Sequence, residues 1–527
     1  MSSYDAVFVG TGHNALVAAA YLARGGWSVL MLERNDRPGG FVRTDELTLP
    51  GFLHDTYASA HPLFVTSPAY LELAPELEAR GLRYVSAPHA TGVSLEDGSS
   101  SVLFSDVAAG AAEADRLAPG DGDAWMAMFE QFGADAEVLF GLLGSDLASP
   151  EGRQLIRRLM LTEQGGPSRY AAEFTRSARD VIQERFSSPV LHALIAPWLS
   201  HLGRPVDQAG GGPWVVLTLA ALQHGGYSVP VGGTERLATA LARLVTDNGG
   251  EIRCSAQATA ITVRDGAASG VRTIDGEHFE ARRAVVASTA PDQLYLRLLD
   301  DAGDAVAPEL RRQAAGYRWG GGCVQVHLAL SEAPRFADER LAATGGPHLT
   351  PGLDGISRSV NEGLRGLLPA TPTISFDSPS TVDPSRVPEA GQATARLQIL
   401  DLPLHPRGDA ASEIEVGEHG WTDDVLECFA DRIVEIAARH IPNLSGAILG
   451  RATIGPRQIA AFNPNSGPGD PYGGRHDLAQ SYLLRPLPGA PSHTTPVPNL
   501  YMLGAATWPG HGVNGGSGHI VAKTLLA

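Results

Sequence analysis

The chain has 527 residues, 43% hydrophobic and 19% charged, with a formal net charge of −18. That length divides most naturally into two or more domains, and the acidic balance disfavours nucleic acid and anionic membrane surfaces as partners. The three cysteines, Cys254, Cys323 and Cys428, show no CxxC spacing, which points away from a disulfide framework, a metal site or a dithiol redox centre and toward a reducing cytoplasm. Lys523 is the single lysine, so lysine chemistry has one candidate. No run reaches the ~18 uninterrupted apolar residues of an integral membrane segment, and the first strand starts too early for a signal peptide.

Residues 6–9 are a Val- and Phe-rich apolar run, as expected of a buried parallel strand. The run breaks at Gly10-Thr11-Gly12 and restarts as an Ala/Leu-rich helix over residues 14–24. After Gly25-Gly26 a second apolar run, 28–32, ends at Glu33. Strand, glycine turn, helix, strand and terminal acid make a βαβ dinucleotide-binding unit. Gly10 permits the tight turn. Gly12 lets backbone approach a pyrophosphate at the helix N-terminus, where free N–H groups and the helix dipole favour an anion. Ala15 stands where the fingerprint has its third glycine, a mild departure. Glu33, 23 residues after Gly10, is placed to accept from a ribose hydroxyl.

Arg37-Pro-Gly39-Gly40-Phe-Val-Arg43-Thr44 follows closely, and its glycine pair lets backbone pass near a ligand's phosphates. From the glycine turn through Glu33 to this pair, the sequence resembles the phytoene desaturase and amine oxidase flavoprotein family. The resemblance implies FAD as cofactor. It carries cofactor contacts onto Gly10, Gly12, His13, Asn14, Ala15, Glu33, Arg34, Gly39, Gly40, Arg43 and Thr44. In that family the chain next crosses toward the flavin ring, which makes His54 and His61 candidates to line the substrate site.

Residues 92–98 and 101–104 read as a hairpin. A helix is expected from the Pro119-Gly-Asp-Gly-Asp123 start through Leu143, with further helices near 154–161, 171–185 and 190–201. Their apolar stripes read as core first and as a hydrophobic substrate tunnel second. From Gly226 the pattern sharpens: Gly232-Gly233, an amphipathic helix over 234–245, and strands at 251–254, 258–263, 271–274 and 284–287. This order resembles the family's return to the FAD domain, where the strand beginning near Ala258 offers its backbone to the adenine. Farther on, Val324, Val326, Leu328 and Leu330 alternate with Gln325, His327 and Ala329 as in a half-buried strand. Another strand is expected at 395–402, a helix at 423–439 capped by Thr422, and a loop at 463–474. No second GxGxxG precedes a helix. The substrate itself therefore reduces the flavin, and electrons pass on to oxygen or a quinone.

The C-terminal run, a strand at 499–503, Gly504, then Ala505-Ala-Thr-Trp508-Pro-Gly510-His511-Gly512-Val513-Asn514-Gly515 and a helix over 516–526, resembles the C-terminal flavin motif of bacterial-type phytoene desaturases. The resemblance places Gly504, Val513 and Asn514 at the flavin, Trp508 at the substrate cavity wall and His511, the catalytic candidate, beside the ring, where it orients substrate or accepts a proton. Many members have Gly-Asp where this chain has Gly504-Ala505, so that side-chain contact does not carry over. Lys523 lies beyond the ring-contacting part of the last helix.

The fold expected is α/β: a Rossmann-type FAD-binding domain built from discontinuous segments (1–65, 223–300 and 489–527), with an α+β substrate domain (66–222 and 301–488). The activity expected is FAD-dependent dehydrogenation of a largely apolar, carotenoid- or polyene-like small molecule, by hydride transfer to flavin N5, in the cytoplasm or at a membrane periphery. Carotenoid ketolation or amine oxidation are the alternatives. A prenyl-binding chaperone of the GDP-dissociation-inhibitor type is the remote one.

Overall fold

The computed structural model describes Ser2–Ala527. The opening βαβ unit forms as its sequence dictates. Strands Ser2–Val9 and Val29–Leu32 pair in parallel, with helix His13–Arg24 crossing between them. These strands sit inside a seven-stranded sheet in the order Ala258–Arg264, Ala267–Thr273, His278–Ala287, Ser2–Val9, Val29–Leu32, Glu251–Arg253. The seventh strand, Leu500–Met502, shares one edge of His278–Ala287 with Ala267–Thr273. It runs parallel to Val285–Ala287, while the hairpin strand runs antiparallel to His278–Glu280. Five parallel strands therefore finish side by side at Met502, Ala287, Val9, Leu32 and Arg253.

Helices His13–Arg24, Glu235–Asp247 and Gly516–Leu526 cover one face of this sheet in a single apolar cluster. Tyr295, Leu298, Leu310 and Tyr317 help to cover the other. The first and last helices touch where Gly518 N–H donates to Asn14 Oδ1 at 3.2 Å. A Cβ on Gly518 would lie 2.0 Å from the Asn14 carbonyl oxygen, so only glycine permits this crossing.

The second sheet also has seven strands, in the order Ile448–Ile454, Gly322–Leu330, Ala393–Leu402, Ile374–Asp377, Pro347–Thr350, Thr91–Leu95, Ser100–Leu103. Helix Asp423–His440, with Thr422 accepting from Val425 N–H as its cap, packs its apolar stripe on one face. The expected hairpin at 92–104 forms but is recruited into this sheet. Two helical expectations break. Residues 171–185 split into Arg169–Glu173 and Ala178–Arg185, because Ser177 starts a new helix with a capping box. Residues 190–201 split at Pro197.

The strand Gly322–Leu330 corrects the half-buried reading. Every residue in it is buried, and its polar side meets the crossover segment from the first domain. Gln325 Nε2 donates to the Tyr57 carbonyl at 3.1 Å, and His327 packs edge-on against His54 at 5.4 Å. The alternation is real, but the second face looks onto protein rather than water.

A buried ion cluster locks the crossings between the two sheets. Arg386, 0% exposed, donates to Asp55 Oδ2 at 2.7 Å, to Asp383 Oδ2 at 3.0 Å and to the Pro230 carbonyl at 2.8 Å. Asp55 also accepts from Thr234 N–H and the Thr44 hydroxyl. Arg386→Met would leave two buried carboxylates uncompensated, so a loss of about 3–5 kcal/mol is expected, read as a lower denaturation midpoint. Arg335→Met, which breaks only the exposed pair with Glu332, should cost less than about 1 kcal/mol. Equal effects would refute the assignment.

Candidate functional site

The carboxyl ends of the parallel strands hold the chemistry, as the topology of such sheets requires. Gly10, at φ +91°, turns the chain out of the first strand, and Gly12 opens the first helix. Neither N-cap residue, Gly12 of that helix or Gly515 of the last one, Gly516–Leu526, has a side chain to cap with, though Asn514 Oδ1 and Asn14 Oδ1 take the Gly516 and Gly518 amides of the last helix. The contact between Gly518 and Asn14 sets the two N-termini next to each other, so two positive helix ends converge on one place.

Gly12 pairs with Gly39, whose N–H donates to the Thr11 carbonyl at 3.1 Å. A Cβ on Gly40 would lie 3.4 Å from the Gly12 Cα, and hypothetical Cβ atoms on Gly12 and Gly504 would each approach Ser288 Oγ, at 3.6 and 3.5 Å. The Gly12 and Gly504 loops thus meet over the Ser288 side chain. This cradle of bare backbone amides fits a dinucleotide's phosphates and a ring edge. The Gly504 loop is tied from within: Gly504 N–H donates to Ser517 Oγ at 2.9 Å, and Thr507 bridges Ser517 and the Gly504 carbonyl. Ser517 therefore anchors the loop in a chain that has Ala505 in place of the acid.

Glu33 is buried and accepts from Thr11 N–H at 3.0 Å and Thr11 Oγ1 at 2.6 Å, while its other oxygen accepts from Asn35 N–H at 2.9 Å. Of about four lone-pair positions on a carboxylate, three are used, which leaves room for one ribose hydroxyl. Arg34 points to solvent. Arg43 pairs with Asp45 and Asp36 and lies over the Phe462 ring, which commits its charge to closing the Gly39-Gly40 turn. Thr44 is tied to Asp55 and to the start of helix Glu235–Asp247. Ala15 is fully buried against the sheet. Ala258 begins the strand next to the turn where Ala256 N–H donates to the Glu33 carbonyl at 2.7 Å.

His13 reaches the Gly512 backbone, and burial pushes its pKa down to about 4, so a neutral ring joins the first loop to the last. Asn514 laces that last loop: Nδ2 donates to the carbonyls of Gly510, His511 and Gly512, and Oδ1 accepts from Gly516 N–H. Val513 packs beside it in the core. Trp508 sits deeper than a cavity wall. Its Nε1 donates to the Leu142 carbonyl at 2.8 Å, His493 Nε2 donates to its carbonyl, and its ring packs with the helical layer.

His511 has both ring nitrogens engaged. Nε2 donates to the His201 carbonyl at 2.6 Å, which leaves Nδ1 to accept from His476 Nε2 at 3.0 Å. Burial pushes its pKa down to about 3. A neutral histidine with no free nitrogen positions the loop and has no proton site to offer. His61 is similar: fully buried, with Tyr84 and Thr234 hydroxyls on its two nitrogens and a pKa pushed down to about 3 by burial. His54 binds the Thr48 hydroxyl, and burial lowers its pKa to about 4. These two histidines build the crossover into the second sheet.

Sequence reasoning missed a polar cluster on the other side of the His511 loop. It holds His201, His348, His476, Asp401 and Asp470. Asp470 is fully buried and accepts from the amides of Gly320, Tyr472 and Gly474. A lone aspartate in the glycine- and proline-rich run at 463–474 was its one local signal. The others come from separate elements and had none.

A profile of the family described as flavin containing amine oxidoreductase matches residues 16–399. A limonene dehydrogenase subunit of Castellaniella defragrans is 26% identical over 547 residues, covering 99% of this chain and 94% of that protein. The neurosporene-forming phytoene desaturase of Rhodobacter capsulatus is 24% identical over 542 residues, covering 99% and 93%. The crystal structure of an oxidoreductase from Methanosarcina mazei matches with a TM-score of 0.63 at 14% identity over 99% of each chain, a likeness of fold. The converging helix N-termini, the meeting of the glycine loops and a profile match over most of the chain agree: this chain belongs to the flavin-containing amine oxidoreductase family and is an FAD-dependent oxidoreductase of the phytoene desaturase-like kind.

Proposed function

We propose that this oxidoreductase dehydrogenates a largely apolar substrate of polyene or terpene type, introducing a C=C bond. The observation that carries this is the continuity of the flavin-side loop with apolar core. Trp508 and Ile520 belong to one buried cluster with helices Asp121–Leu143, Pro189–Ile195 and Trp214–Gly225. Neutral His511 adds no charge to the loop, and Lys523 is engaged by Glu72 at the surface. Relatives named for limonene and phytoene chemistry support the same reading. When bound, FAD supplies the hydride acceptor.

The chain's own part is to bind, orient and exclude water. The two helix N-termini and the Gly10–Gly12, Gly39–Gly40 and Gly504 backbones hold the cofactor, Glu33 takes a ribose hydroxyl, and the Ala258 backbone faces the adenine. His511 and Asn514 fix the loop beside the ring. This reading divides the chain into a cofactor domain (1–65, 223–300 and 489–527) and a substrate domain (66–222 and 301–488), with oxygen or a quinone as electron acceptor. No helix among the described residues is long and apolar enough to cross a membrane, and the working compartment on this reading is the cytoplasm or a membrane periphery.

The test is anaerobic bleaching of the purified yellow protein across polyenes, monoterpenes, amines and alcohols. Bleaching by apolar hydrocarbons or their derivatives, with colour restored by oxygen or a quinone, is expected. Bleaching by amines alone would refute the proposal.

A further inference from the structure

Behind the His511 loop lies a small cavity of about 30 Å³, lined by Ser200, His201, His348, Gln398 and Asp401 with Ile356 on its apolar side. That is room for one small polar group, since a water needs roughly 10–15 Å³ by the same measure. Two polar atoms of its lining are buried without a hydrogen-bond partner among the described residues: His348 Nδ1 and Asp401 Oδ2. His348 is 1% exposed and its other nitrogen faces His201 Nε2 at 2.9 Å. Unpartnered buried polar atoms are costly and rare in native proteins, so two in one cavity identify what the cavity lacks.

The pair also specifies the missing group. When His201 Nε2 accepts from His348 Nε2, His348 Nδ1 is an acceptor. When His201 donates instead, His348 Nδ1–H is a donor lining the same cavity as the Asp401 acceptor. A hydroxyl, which both donates and accepts, satisfies the second arrangement completely, and a carbonyl oxygen satisfies only half of it. The cavity is coupled to the flavin-side loop because the His201 carbonyl is the one that His511 holds.

We infer that this cavity binds a hydroxyl group of the substrate, so that the substrate is an otherwise apolar molecule carrying an alcohol, anchored next to the His511 loop. The inference rests on the apolar-substrate reading above and narrows it. Burial raises the Asp401 carboxyl to about 6.

The test titrates the FAD-loaded enzyme with two matched pairs, limonene with perillyl alcohol and phytene with phytol, and reads the shift of the flavin absorption band. At least one alcohol should bind about tenfold tighter than its hydrocarbon. In His348→Phe the two members of that pair should come within about threefold, with hydrocarbon affinity retained. Asp401→Asn is the second variant. Asp401 sits at φ +60°, a conformation asparagine tolerates, so this protein should fold, and its preference for the alcohol should fall by about fivefold or more. Equal affinity within both pairs, or a preference that survives in both variants, would overturn the hydroxyl site and leave the cavity to water. If no member of either pair moves the flavin band, the apolar-substrate reading fails and takes this inference with it.

Discussion

Gly12→Ala is expected to give a folded protein that has lost its flavin. Gly12 has φ −55° and ψ 157°, a conformation open to alanine. The new methyl would meet only Ser288 Oγ, at 3.6 Å, an ordinary contact. The protein itself therefore has no objection to the methyl. A pyrophosphate drawn to the N-terminus of helix His13–Arg24 does, because it needs the backbone at this point. Flavin content should drop by about tenfold or more, while the denaturation midpoint of the apoprotein stays within error of the parent's. Gly518→Ala is the contrasting case. Its methyl would press on the Asn14 carbonyl, so fold and flavin should fail together. A stoichiometrically yellow Gly12→Ala protein would contradict the assignment of this loop to the cofactor.

The second large effect is acid sensitivity. Burial holds His54 at about 4 and His61 at about 3, and drives His327, His348 and His476 well below the ordinary value. An unfolded chain titrates the same rings near 6.5. Below that pH the unfolded state binds more protons, so stability is intact above about 6.5 and falls as the pH falls toward 4. Asp401 and Asp470, raised by burial to about 6, act in the opposite direction, gaining stability as they protonate. Even without the partly exposed His13, His201 and His511, the balance favours the unfolded state by about three protons, a slope of about 4 kcal/mol per pH unit. Unfolding at mild acid, near pH 4.5–5, is the expected outcome for a stability of ordinary size. Urea midpoints at pH 7.5, 6 and 5, with FAD held constant, measure it. A midpoint independent of pH over that range would show that these histidines titrate normally.

What could be read from the sequence follows distance along the chain. The βαβ unit, the helix at 235–247 and the closing strand, loop and helix are local patterns, and their physics is written in consecutive residues. The helix expected at 516–526 forms with the same limits. Boundaries failed where a cap or a proline acted inside an apolar stripe, at Ser177 and Pro197. The strand at 322–330 exposed a different weakness: periodicity reports two unlike faces without saying what each one sees. For the site, glycine spacing located the cradle, but the partners of individual side chains could not be foreseen. Arg43 is held by Asp45 and Asp36, and His511 by His476 and the His201 carbonyl. Those partners lie up to 310 residues away. The cavity at His348 and Asp401 has no local signature at all, since its walls come from two helices and three different strands or their edges.

The meeting of Asn14 with Gly518 also sets a timetable for synthesis. The first helix leaves the ribosome long before its neighbour across the glycine crossing, which lies 504 positions later. At about 5–20 residues per second, the wait is roughly 25–100 seconds. Early in that interval the opening βαβ unit lacks its central partner strand, His278–Ala287, and to the end of it the closing strand Leu500–Met502 is missing as well. The apolar face that the last helix covers stays open for nearly the whole of elongation. A ligand that needs both helix ends can be captured only once the closing helix has been made, and until then the nascent chain is a natural client for holdase chaperones.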